Sequence, residues 1–263
     1  ITNYKEFYQY LMLKIRIIPS LLFNGSNLVK GKKFNSWRTV GSVFQNIKLY
    51  SLRNVDELIF LDIEAYKNKT IDFNLIDDFA DECFMPLTVG GGIRNIQDIE
   101  ETLRRGADKV SINSGAFHNH NLIGDAVKYF GSQCIILSVD YKIDEKGNKR
   151  IFLNSEKKLS NIDLFEYIDK IEAYKPGEIL LTSVDHDGMM KGFDIDTIKK
   201  INKLSSTSII ASGGAGSVED IYKVIKDANV KAVAASSIFH FTEITPHNVK
   251  NYLSSKGIKV RKN

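Results

Sequence analysis

From residue 15 onward, short apolar runs alternate with amphipathic stretches. The runs are IRIIPSLL (15–22), DELIFLDI (56–63), FMPLTVGGGI (84–93), DKVSINSG (108–115), CIILSVDYK (134–142), GEILLTSVD (177–185), SIIASGGAG (208–216) and KAVAASSIF (231–239). Between them lie segments with apolar residues every three to four positions, such as 96–106, 122–131, 162–174, 195–204 and 218–228. Near-continuous apolar runs suit strands covered on both faces, and their alternation with amphipathic helices predicts βαβ units and a parallel sheet. Eight such strands are the number that closes a (β/α)8 barrel. The expected fold is therefore α/β, a single TIM barrel over residues 14–263, preceded by an N-terminal extension, residues 1–13.

The two halves of this pattern resemble each other. Glu57-Leu-Ile-Phe-Leu-Asp62 matches Glu178-Ile-Leu-Leu-Thr-Ser183, and Val89-Gly-Gly-Gly92 matches Ala211-Ser-Gly-Gly214, each roughly 120 residues later. Two motifs sharing nearly one offset point to a half-barrel duplication, four βα units followed by four more.

Composition narrows the function classes. Of 263 residues, 43% are hydrophobic, too many for a disordered chain. Lys+Arg 36 against Asp+Glu 32 leaves +4, with no basic block, which argues against nucleic acid or an anionic membrane surface as the main partner. Cys83 and Cys134 are too few for a disulfide framework. No apolar run reaches the roughly 18 residues of a membrane span, and the first residues carry no signal-peptide pattern, so a cytoplasmic location is expected. The histidines show no ligand spacing beyond His118/His120, which reads as a surface turn, and neither a metal nor a cofactor is implied.

In a barrel of this kind the chemistry sits at the C-terminal ends of the strands. The third and seventh strands both end in glycines, Gly91-Gly92 and Gly213-Gly214, where backbone N–H groups can approach an anion closely. Asn113 and Ser114 end the fourth strand, and Ser236 and Ser237 end the eighth. Two phosphate sites on opposite sides of the mouth follow; for either glycine run alone, a tight strand-to-helix turn is the plainer reading. Asp140 ends the fifth strand in an inward-facing set with Ile136 and Ser138, which makes it a candidate general acid or base. The loop after the sixth strand holds Asp185, Asp187 and Gly188, where the carboxylates either contact substrate or shape the loop. Lys30, in the long segment after the first strand, is placed to reach over an anionic ligand as a mobile loop residue.

Four strands begin with a charge: Arg16, Glu57, Lys109 and Glu178. Parity turns each inward, so two cations and two anions meet at the bottom of the barrel. Unpaired they would be costly to bury, and a ring of alternating ion pairs is expected. Such a ring is either a structural plug or a gate on a passage up the axis.

The stretches RIIPSL, DELIFLDI, PLTVGGGIR, GADKVSINS, FGSQCI, GEILLTSVDHDG, IIASGGAG and AASSIFHF identify a resemblance. From about residue 15 to 261 the chain resembles the HisF family, the cyclase subunits of imidazole glycerol phosphate synthase. The resemblance implies a barrel that receives ammonia from a HisH-like glutaminase partner docked on its bottom face, with Arg16, Glu57, Lys109 and Glu178 as the ammonia gate and Asp108 and Gln133 on the partner-facing side. It implies phosphate binding at Gly91, Gly92, Asn113 and Ser114 and at Gly213, Gly214, Ser236 and Ser237, and catalysis by Asp140 and, from a flexible loop, by Lys30.

The first strand departs from this pattern. Histidine-pathway members carry an aspartate there, two residues after a cysteine; here the stretch is Ser20-Leu21-Leu22. The glycine pair of the loop after the fifth strand is also missing. A side branch of the family, associated with acetamidino groups on surface-polysaccharide sugars, shows the same leucine and the wording VDELIFLDI and ECFMPL. The leading expectation is thus an ammonia-accepting synthase subunit for sugar amidination, acting on a phosphorylated or sugar substrate. The alternatives are the cyclase of histidine biosynthesis and a non-catalytic barrel that conducts ammonia and activates its partner.

Overall fold

Twelve strands run in the order β1 (Arg16–Phe23), β2 (Leu28–Lys32), β3 (Asn35–Gly41), β4 (Leu58–Asp62), β5 (Leu87–Gly90), β6 (Lys109–Ile112), β7 (Ile135–Ile143), β8 (Lys149–Leu153), β9 (Lys158–Asp163), β10 (Glu178–Ser183), β11 (Ser208–Ser212) and β12 (Ala232–Ala235). They belong to a computed structural model that describes residues 14–53 and 55–261; the N-terminal extension expected at 1–13 lies outside the described residues. β1 pairs in parallel with β12 and β4, and β10 pairs with both β11 and β7, so β1, β4, β5, β6, β7, β10, β11 and β12 close into a ring. The (β/α)8 barrel expected from the apolar pattern is the fold.

Strand faces divide the apolar residues into two sets. The inner set is small: Ile18, Ile59, Ile136, Leu180, Ile210, Ala232 and Ala234 fill the middle of the barrel. The outer set packs beneath the helices and forms the larger core. The helices begin where the sequence supplies caps. Asn95, Asp163 and Asp194 accept backbone N–H bonds, and Ser217 and Thr245 close capping boxes, the latter followed by Pro246 in the first turn.

Two antiparallel hairpins rise from the C-terminal end of the barrel, where loops were expected. β2 and β3 form one after β1, and β8 and β9 form the other after β7. Their sequences hide them: the first is interrupted by a turn with positive φ at Lys33, Phe34 and Ser36, the second by one at Lys157, and both are rich in Lys, Asn and Ser. Phe34 packs near Phe152, joining the hairpins across the mouth. No helix of the described residues is long and apolar enough to cross a membrane.

Candidate active site at the barrel mouth

The two ends of the barrel carry different chemistry. At the bottom, strand parity brings the four charged strand-initial residues together. Arg16 donates to Glu57 at 2.6 Å and also pairs with Glu178. Lys109 Nζ bridges the same carboxylates, 3.0 Å from Glu57 and 2.8 Å from Glu178. Thr88 donates its hydroxyl to Glu57 at 3.0 Å. Burial alone would raise the Glu178 carboxyl, but the hydrogen bonds and charges of Arg16 and Lys109 outweigh it and hold Glu178 below the usual range. The alternating ring is thus complete, directly beneath the apolar plug of the barrel interior.

Exposed apolar side chains stand among the polar ones around this end. Leu52, Phe84, Tyr129 and Leu204 stand exposed at the helix ends and turns that feed β4, β5, β7 and β11. Asp108 lies here with its carboxylate accepting from the Leu87 N–H, and Gln133 occupies the turn before β7, reaching the Phe130 carbonyl.

The opposite end opens into a cavity of about 1140 Å³, counting the space at its open side. It gathers Lys30, Gly91, Gly92, Asn113, Ser114, Asp140, Asp187, Gly188, Gly213, Gly214, Ser236 and Ser237 into one site.

Its two glycine turns have no room for side chains. A Cβ on Gly91 would collide with the Asp62 carbonyl, and one on Gly214 with the Gly192 carbonyl; their φ values of +114° and +126° also suit glycine alone. Beside the first turn, Asn113 donates to the Ser138 carbonyl at 3.1 Å and to Asp140 at 3.0 Å, while Ser114 exchanges a 2.8 Å bond with Ser155. Beside the second, the buried hydroxyls of Ser236 and Ser237 have no protein partner. The Ser111 hydroxyl, lower on the same wall as Asn113, is also buried and unpartnered.

Asp140 is 9% exposed and faces the cavity from β7. Burial and then the charge of Asp187 raise its carboxyl to about 7, with hydrogen bonds from Thr182 and Asn113 pulling the other way. A carboxyl titrating there exchanges a proton readily in either direction near neutral pH.

Lys30 differs from the expectation. It belongs to strand β2 rather than to a mobile loop, and its side chain is buried. Its ammonium bonds both Asp187 oxygens at 2.7 and 2.8 Å. Burial and the Lys30 charge together push His240, on the helix after β12, down to about 4. Through its contact with Lys30, Asp187 anchors the β2–β3 hairpin, and its carbonyl accepts from the Lys33 N–H as well. Leu22 lines the cavity, so the residue that departs from the family pattern does stand in the site.

Several lining residues were not legible in advance. Phe34 and Trp37 come from the first hairpin and Asn154 and Ser155 from the second, both read as loops. Asp62 ends β4, and alternation with the inward Glu57, Ile59 and Leu61 would turn it outward. The strand ends there instead, and Asp62 caps the next turn through Glu64 and Ala65 while still lining the cavity.

The chain is 42% identical over 251 residues to the imidazole glycerol phosphate synthase subunit HisF of Natranaerobius thermophilus, covering 95% of this chain and 100% of that protein. It is 43% identical to the same subunit of Dictyoglomus thermophilum (95% and 99% covered) and 38% identical to that of Clostridium botulinum (95% and 100%). The family model described as histidine biosynthesis protein matches residues 16–245. With its barrel, its duplicated glycine turns and relatives of full length at this identity, the chain belongs to the HisF family of histidine-biosynthesis barrels.

Proposed function

We propose that this chain is the cyclase-type subunit of an imidazole glycerol phosphate synthase, taking ammonia from a glutaminase partner and joining it to a phosphorylated precursor at the mouth. The observation that carries the reading is the pairing of two glycine turns with polar strand ends on opposite sides of one cavity, with the Asp140 carboxyl inside it. The names of the relatives favour this reading over sugar amidination. An acyclic substrate phosphorylated at both ends spans such a cavity with each phosphate on a set of backbone N–H groups.

The chain's own residues divide the work. Gly91, Gly92 and Ser114 hold one phosphate; Gly213, Gly214, Ser236 and Ser237 hold the other. Asn113 orients Asp140 as well as facing the first phosphate. Lys30 keeps the β2–β3 hairpin over the bound substrate through Asp187. Asp140, near neutral pH, removes a proton from the attacking nitrogen or returns one. The ring of Arg16, Glu57, Lys109 and Glu178 is the entry for ammonia, and the rim around it, with its exposed apolar side chains, Asp108 and Gln133, seats the glutaminase.

The test is turnover of the purified chain with an ammonium salt and the phosphorylated precursor of imidazole glycerol phosphate. Imidazole formation is expected; its absence, with the precursor shown to bind, overturns the reading. Leu22 favours a second reading, in which nitrogen is delivered to a sugar to make an acetamidino group. On that reading the imidazole assay is weak, and Leu22→Asp raises it about tenfold or more, within the range a general acid or base contributes.

A further inference from the structure

Three carboxyls line the mouth cavity: Asp62, Asp140 and Asp187. Asp187 has both oxygens on the Lys30 ammonium and is committed to holding the hairpin. Asp140 stands on β7. Asp62 stands at the tip of β4, next to β1, where Phe23 pairs with Asp62 and Leu22 pairs with Leu61. The position opposite Asp140 that Leu22 leaves without a carboxylate is therefore flanked by Asp62.

We infer that Asp62 is the second acid–base group of this site, working across the cavity from Asp140. The inference rests on the ammonia-transfer reading above. Its geometry separates two jobs within one side chain. Asp62 Oδ1 accepts from the Glu64 and Ala65 N–H groups, each at 3.0 Å, which fixes the carboxyl in place. Oδ2 makes no hydrogen bond among the described residues, leaving it for substrate. Gly91 packs directly on Asp62, with an added Cβ only 3.0 Å from the Asp62 Cβ, so an anion on the first glycine turn lies beside this carboxyl. Burial raises the Asp62 proton affinity and outweighs the Glu64 and Ala65 N–H bonds that lower it, the Glu64 and Asp72 charges add to the rise, and a bound phosphate raises it further by like-charge repulsion. The role assigned to Asp62 is that of the acid, in its protonated form.

The step balances with one proton moved. The ammonia lone pair forms a C–N bond to an electrophilic C=N or C=O carbon, and the π pair passes to the heteroatom. Asp62 gives its proton to that heteroatom and the Asp140 carboxylate accepts one from the new nitrogen. Exchange with water returns the pair to its starting state.

Asp62→Asn keeps an oxygen to cap Glu64 and Ala65, so the fold is preserved, and only proton transfer is lost. With the ammonium-dependent imidazole assay, the expected result is a fall in kcat of about 10²–10⁴-fold, KM changed less than threefold, and loss of the alkaline limb of the pH profile. Adding Leu22→Asp to Asp62→Asn is expected to recover at least tenfold, because residue 22 is the strand neighbour of this corner. A kcat within threefold of the unaltered chain, while Asp140→Asn is inactive, overturns the inference. If the unaltered chain forms no imidazole, the cyclase reading fails separately. Asp62 is then judged by carboxyl NMR with inorganic phosphate: its titration midpoint is expected to rise on phosphate binding, and a midpoint that phosphate leaves unchanged overturns the inference.

Discussion

The two glycine turns are copies of one design, yet their neighbours have been put to different uses. At the first, the two strand-end side chains are engaged: Asn113 holds Asp140 and the Ser138 carbonyl, and Ser114 holds Ser155 of the β8–β9 hairpin. At the second, Ser236 and Ser237 are buried with hydroxyls that bond nothing in the protein. A buried hydroxyl without a partner costs roughly 1–3 kcal/mol, and the phosphate role proposed for Ser236 and Ser237 gives each of them a partner. On the proposed function, the first half of the barrel uses Asn113 and Ser114 to aim Asp140 and fix a hairpin, and the second half offers Ser236 and Ser237 for binding. Changes in the first half are therefore expected to act on kcat, and changes in the second on affinity.

The largest effect belongs to Asp140→Asn. Loss of its proton transfer is expected to lower kcat by about 10²–10⁴-fold. Stability moves the other way. A carboxyl whose folded value, about 7, lies above its unfolded value contributes stability at low pH that is lost as the pH rises through 7. The amide removes that loss, so Tm at pH 8 is expected to rise by roughly 2–4 °C for each kcal/mol recovered, with a smaller rise at pH 5 and little change below about pH 4. An inactive variant that is also less stable at pH 8 would mean that Asp140 is held ionised, contrary to its surroundings.

Asn113→Ala comes next. The amide hydrogen bond favours the ionised form of Asp140, so its removal is expected to shift the pH profile of kcat upward, with a fall in kcat of about tenfold. Phosphate affinity is expected to change less than kcat. An equal loss in both would erase the contrast between the two halves.

The contrast between the halves was only partly open to reading from the chain. Strand parity located the bottom ring, since Arg16, Glu57, Lys109 and Glu178 lie within regular strands where alternation holds. The glycine repeat located both turns for the same reason. Beyond the strand ends alternation stops, and side-chain direction is set by caps and turns. Asp62 was hidden in this way, and so was the pairing of Lys30 with Asp187, which joins residues from opposite sides of the barrel. The Ser114–Ser155 bond depends on a hairpin whose Asn- and Lys-rich tip carries no strand pattern. Local sequence also carries no sign of whether a hydroxyl will find a partner, and it is this that separates Ser114 from Ser237.

Ser237→Ala measures that separation directly. Its Oγ is buried without a protein partner, so deleting it removes an unmet desolvation cost, and Tm of the free chain is expected to hold or rise. Inorganic phosphate should bind about ten- to a hundredfold more weakly, the value of one hydrogen bond to an anion, read by calorimetry at fixed ionic strength. Ser114→Ala is the matched control on the other side. It breaks a bond that exists in the free chain and should lower stability by roughly 0.5–1.5 kcal/mol. Opposite signs in the free-chain stabilities of the two variants are what unequal halves require. If Ser237→Ala instead destabilises the chain and leaves phosphate binding unchanged, its hydroxyl serves the fold, and the second half has no claim to be the binding half.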